Sequence, residues 1–152
     1  MTEPLTFPSL TPRHALPLLF AGQAQKEATV NAAHALADLL LHPAVEGEAA
    51  APPSTPVAGE CWLVAPGATG PFAGRVGSIA GYITGTWVFA DARDGMRAYD
   101  RASGQYLIHA GAWVRQPAPA APTGGGTVDS QARSAIADLI LALRGVGLFA
   151  AE

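Results

Sequence analysis

An α+β fold, with helices at the two ends of the chain and strands between them, is predicted by three observations. Residues 22–42 and 129–145 are built from good helix formers with apolar residues recurring at helical spacing. Between them lie six short runs, ECWLVA, SIAGYI, TWVFA, MRAYD, QYLIHA and AWVRQ, rich in β-branched and aromatic residues and divided by glycine-containing turns. Connectors rich in proline, alanine and glycine separate these regions, and 17 glycines with 13 prolines in 152 residues point to several modest cores instead of one large one.

The chain is expected to divide into an anchoring arm and helix (1–43), a linker (44–58), a small antiparallel β meander or roll (59–116), a Pro/Gly linker (117–128) and a C-terminal helix (129–152). Prolines at 4, 8, 12 and 17 keep the N-terminal segment extended. Without a core of its own, this arm must lie on the neighbouring helix, another subunit or a larger assembly. The helix GQAQKEATVNAAHALADLLLH at 22–42 is stopped by Pro43. It carries Gln23, Glu27, Asn31, His34 and Asp38 on one stripe, read as solvated or subunit-facing, and small residues elsewhere that permit close packing.

The strand runs contain a weak repeat: GYITGTWVF at 81–89 is echoed by QYLIHAGAWVR at 105–115. Each places a Trp-Val strand after a tight turn, which predicts tryptophans on a shared face. In GATGPFAGRVGSIAGYITGTWVF at 67–89, the glycines fit turns and bulges, with Ile79, Tyr82, Trp87 and Phe89 as candidate core. The last helix, DSQARSAIADLILALRG, begins at Asp129 as N-cap and stops at Gly145. Its narrow apolar stripe, Ala132, Ile136, Leu139, Ile140 and Leu143, needs a partner, because a short helix on a tether is marginal alone. Contact between subunits is the preferred reading of that stripe, and docking back on the same chain is the alternative.

The formal net charge is −3 and the nine Lys and Arg residues do not cluster, which argues against a nucleic-acid partner. The first 15 residues have no apolar h-region, and no run approaches the ~18 apolar residues of a membrane helix, so neither a signal peptide nor membrane insertion is expected. Cys61 is the single cysteine and reads as an inert strand thiol.

Chemistry is equally sparse. The histidines are scattered and form no nucleophile–base signature. His34 and Asp38 are an i, i+4 pair without the further ligands of a closed metal site. The glycines at 67–85 match no phosphate-binding motif, and a strand follows them where a P-loop requires a helix. Asp91, Asp94 and Asp100 sit at turns or strand edges, where turn chemistry explains them better than a glycosidase acid pair. No catalytic, cofactor or metal residue is assigned, and the chain is not expected to be an enzyme. Tyr82, Trp87 and Trp113 remain candidates for stacking on sugars or for an interface, against the plainer reading that they form the core.

AGQAQKEATVN at 21–31 and APPSTPVAGECWLVAPGATGPFAGRVGSIAGYITGTWVF at 51–89 resemble an uncharacterised domain family found in tail-fibre and spike proteins of phages and of phage-derived gene transfer agents of α-proteobacteria. The resemblance rests on a GQAQK-x-x-T-x-N helix, a PP-x-x-P-x-x-G strand entry, a GATG-x-aromatic-x-G turn, an IA-x-aromatic strand and a G-x-W-x-F strand, in order. SQARSAIADLILALRGVGLFA resembles the terminal helices of such fibre and spike proteins. His34 and Ala92 depart from the pattern, which tends to an apolar residue and a proline there.

The resemblance implies a virion structural protein: a spike, or the base or connector of a fibre, supporting attachment to the host surface. It implies a particle assembled in the bacterial cytoplasm, with self-association as trimer or pentamer and with capsid or tail proteins and a distal fibre protein as partners. Gln23, Gln25, Lys26 and Asn31 would then belong to an anchoring helix, and Ile136, Leu139, Ile140 and Leu143 to an oligomerisation helix. The alternative is a glycan-binding module that contacts host capsule polysaccharide directly.

Overall fold

A run of alanines and leucines closed by Pro43 forms helix α1 over Glu27–Leu41. The computed structural model describes residues 10–14, 16–19, 26–83, 85–126 and 129–150, so Gln23 and Gln25 lie outside the described residues. The fold is α+β, and the chain divides into two compact units, Met1–Ala92 and Arg93–Glu152. That division falls inside 59–116, where the sequence suggested one small domain. The turn at Asp94-Gly95 looks like any other hairpin turn in the sequence, yet it opens the second unit.

In the first unit α1 is followed by strands β1 (Ala44–Val45), β2 (Glu48–Ala49), β3 (Cys61–Val64), β4 (Ile79–Ile83) and β5 (Thr86–Ala90). The segment 44–58, expected to be a linker, therefore contains two strands. Its prolines, Pro52, Pro53 and Pro56, all come after β2, leaving Val45 free to be buried completely and Gly47 and Ala49 to accept hydrogen bonds from Leu63 and Ala65. The sheet order is β2-β3-β4-β5, with β2 parallel to β3 and the other pairs antiparallel, so the expected single meander is replaced by two small sheets.

The two faces of this sheet are filled differently. On one, Leu39 of α1, wholly buried, lies over Gly81 opposite Cys61, where a β-carbon would come within 2.9 Å of the leucine methyl. Glycine at 81 thus sets how closely helix and sheet approach. On the other, Phe72 from the 3₁₀ turn Gly70–Phe72 is buried with Val64 and Ala80, and Trp62, Trp87 and Phe89 pack around it half-exposed.

The polar stripe of α1, expected to be solvated or subunit-facing, is met at Asn31, His34 and Asp38 by the chain's own arm. Asn31 holds Leu19 by two bonds, accepting from its amide at 2.8 Å and donating to its carbonyl at 3.0 Å, and His34 Nδ1 lies 2.7 Å from the Pro17 carbonyl. Asp38, 0% exposed, accepts from Thr11 Oγ1 (2.8 Å), the Arg13 amide (3.1 Å) and the His14 amide (2.6 Å). The Arg13 guanidinium then reaches past Asp38 to the carbonyls of Asp38, Leu39 and His42, satisfying the last turn of α1 with positive charge where the helix dipole is negative.

In the second unit β6 (Arg97–Asp100), β7 (Gln105–His109) and β8 (Trp113–Val114) pair antiparallel in order, and helix α2 (Ser130–Gly145) follows. Asp100 is buried at the end of β6. It accepts from the Ala102 amide (3.0 Å), Ser103 Oγ (2.8 Å) and Arg115 Nε and Nη2 (3.1 and 2.7 Å), tying the β6–β7 turn to the residue after β8. Burial acts to raise the pKa of this carboxyl, but the bonds from Arg115, Ser103 and Ala102 outweigh it and hold the value below the ordinary aspartate range. At the other end, Asp94 accepts from the Gly111 amide (2.7 Å) and lies 3.0 Å from His109 Nδ1, and these contacts lower its pKa as well.

Two stability predictions follow from these carboxylates. Asp38→Ala removes an acceptor serving three donors and should cost the first unit about 3 kcal/mol in denaturant unfolding, with protease cleavage of the arm appearing first. Retention of wild-type stability would show that the arm is not held there. For Asp100 the folded pKa lies below the unfolded one, so its stabilisation is complete above about pH 4 and fades as pH falls through the folded value. The denaturation midpoint should fall more steeply with acid in the wild type than in Asp100→Asn, and parallel pH profiles would refute the assignment.

Candidate functional site

The second unit carries a helical excursion that leaves its sheet at Gln116 and returns at Leu148, and one buried side chain closes it. Gln105, 2% exposed at the start of β7, donates from its amide nitrogen to the Gln116 carbonyl (2.6 Å) and the Leu148 carbonyl (3.1 Å). The Tyr106 amide donates to the Gly147 carbonyl at 2.6 Å. Gly147 is required twice over. Its φ of +74° is left-handed, and a β-carbon there would lie 3.1 Å from the Tyr106 ring and 3.3 Å from the Tyr99 ring.

Between these points α2 is capped at both ends. Asp129 accepts from the Ala132 amide at 2.9 Å, as its position in the sequence predicted. At the other end the amides of Gly147 and Leu148 donate to the carbonyls of Arg144 and Leu143, the paired bonds of a Schellman motif. The sequence suggested Gly145 as the stop. Gly145 is instead the last helical residue, because the left-handed position falls two residues later.

None of the residues of α2 is buried, yet much of its surface is apolar. Arg133, Ile140 and Arg144 are half-buried along one side, where the Arg133 guanidinium donates to the carbonyls of Pro122 and Gly124 in the linker. Next to that side, Ile136 is 42% exposed, Leu139 58% and Val146 61%, with Leu143 half-buried among them. Of the four predicted oligomerisation residues, the structure thus leaves Ile136 and Leu139 most open. The stripe continues at Val146 into a groove of about 610 Å³ on the sheet, lined also by Arg97, Tyr106, Ile108, Val114 and Leu148.

The candidate aromatics separate. Tyr82 and Trp87 face each other across β4 and β5 with ring centroids 5.1 Å apart, and Trp87 meets Phe72 edge-on at 4.9 Å. Arg75 covers the Phe89 ring at 5.2 Å. Trp113 belongs to the other unit, where it stacks edge-on with His109 at 5.3 Å, so the expected shared tryptophan face divides between two units. Of the anchoring residues, Asn31 is engaged by Leu19 and Lys26 is exposed at the start of α1 without a capping bond. Asp91, Asp94 and Asp100 each serve a hydrogen bond within their own unit, Asp91 with Ser78 Oγ at 3.0 Å.

Sequence reading missed Gln105 and Gly147. A local signal existed for Gly147, the glycine of a helix terminus, but none for Gln105, whose partners are backbone carbonyls far along the chain. Replacing Gln105 by leucine should cost about 2 kcal/mol by removing both hydrogen bonds made by its buried amide. Hydrogen exchange should then accelerate at the amides of 143–148 before the strands, and uniform protection across the unit would count against a clasp.

No curated protein and no solved structure matches the chain. A family model does match, over residues 30–114, from the first turn of α1 to the end of β8. Its description is "Protein of unknown function (DUF2793)", and since the match spans more than half of the sequence, the chain belongs to that family.

Proposed function

We propose that this chain is a structural subunit of a phage or gene transfer agent particle, a spike or the base or connector of a fibre, built from several copies and supporting attachment to the host surface. The observation that carries the reading is α2: a helix capped at both ends and clasped to its sheet, with Ile136, Leu139 and Val146 exposed in line. An apolar stripe kept in water is a surface awaiting a partner. The sequence resemblance of residues 21–31 and 51–89 to spike and fibre proteins supplies the setting. On this reading the particle-facing contacts fall to the exposed start of α1 around Lys26, since Asn31 serves the arm.

A second reading has one specific observation behind it. The Tyr82–Trp87 pair stands half-exposed on the sheet face around Phe72, a ring pair of the kind that stacks on sugars. Host polysaccharide would then contact the first unit through this pair.

Light scattering of the full-length protein at high micromolar concentration is expected to give a closed oligomer that Ile136→Asp and Leu139→Asp each convert to monomer without loss of helical signal. Strictly monomeric wild type would defeat the reading. Electron microscopy of particles that carry this chain then tests its place in the virion.

A further inference from the structure

The open surface of α2 is asymmetric in a way that selects both its partner and its orientation. Advancing about 100° per residue, one exposed apolar sector centres on Leu139 with Ala132 and Val146 above and below it, while Leu141 is exposed on the far side of the helix. On one flank stand Ala135 and Ala142; on the other stand Ile136 and Leu143. The two flanks repeat with the same seven-residue spacing, so each large side chain has a small one at its own height on the opposite flank. Beyond the alanine flank lies Asp138, and beyond the large flank lie Arg133 and Arg144.

We infer that the partner of this surface is a second copy of α2, packed parallel and in register. Ile136 and Leu143 of one copy fit against Ala135 and Ala142 of the next, about an axis that runs along the helices. This rests on the homo-oligomeric part of the reading above and adds its geometry. In a parallel arrangement the large flank of each helix meets the small flank of its neighbour, and the arginine edge meets the aspartate edge. In an antiparallel pair like flanks meet: isoleucine and leucine crowd one side, alanines leave a gap on the other, and aspartate faces aspartate. Shape and charge therefore reject the same arrangement. A parallel bundle also gathers every copy's Gln105 clasp at one end, so the excursions project together from a common base.

Thiol cross-linking distinguishes the arrangements, because residues 132 and 146 lie about 20 Å apart along the helix. The wild type, whose single thiol at Cys61 is buried, is the control. Ala132→Cys alone and Val146→Cys alone should each cross-link efficiently to themselves with a short bis-maleimide, and a mixture of the two should give little mixed product. Mixed product without self-linking overturns the parallel arrangement and leaves the oligomer standing. An oligomer by light scattering with neither kind of product removes α2 as its interface and overturns the inference. A monomer overturns the oligomer itself, and the inference with it. As an independent arm, Asp138→Arg should weaken the assembly at least tenfold at low salt and much less at high salt, and an unchanged assembly rules out the facing of opposite charges.

Discussion

A carboxylate with no exposed surface tolerates burial only when its oxygens are filled, and Asp38 fills them with Thr11 and with the amides of Arg13 and His14. That constraint organises the first unit. It brings a segment 27 residues earlier in the chain onto α1, and it positions the Arg13 guanidinium over the open carbonyls at the helix end. With the helix terminus satisfied, Leu39 one residue on is fixed over Gly81, and the sheet follows. Alanines and glycines bring these surfaces close but bury little area each, so directional bonds must supply the registry that large side chains provide in a bigger core.

The same device recurs in the second unit. Asp100 joins a turn to a strand end 15 residues away, and Gln105 reaches a carbonyl 43 residues further along the chain. A helix the length of α2 has little stability alone in water. Here Asp129, the Schellman bonds at Gly147 and the amide of Gln105 fix both ends, so the helix is ordered without burying its apolar side. Those caps leave Ile136 and Leu139 available, and an arrangement that stabilised α2 by packing it down would have consumed them.

Where structure follows from local signals, the sequence reads clearly. The six strand runs, the Asp129 cap and the burial of Ile79 all have local causes, in alternation, turn residues or capping chemistry. What was illegible depends on partners distant in sequence. The stripe of Asn31, His34 and Asp38 has the pattern of a solvated face, and only the arm's backbone amides and carbonyls show otherwise. The strands at 44–49 are too short and too close to prolines for composition to reveal them, and the separation of the strands into two units has no signal at Asp94-Gly95. At the candidate site the apolar stripe was visible from its spacing, whereas the clasp that presents it was not.

The clasp also explains how the helix can sit outside the segment shared with the family. Gln105 lies within residues 30–114, while Gln116, Leu148 and the helix between them lie beyond. The bonds run from the glutamine side chain to main-chain carbonyls, which every residue carries, so the sheet imposes almost nothing on the sequence it holds. Only Gly147 is specified, by its left-handed backbone and by the tyrosine rings beside it. A sheet that grips backbone in this way leaves the face of α2 free to be shaped by what it packs against, which on the inference drawn above is a second copy of itself.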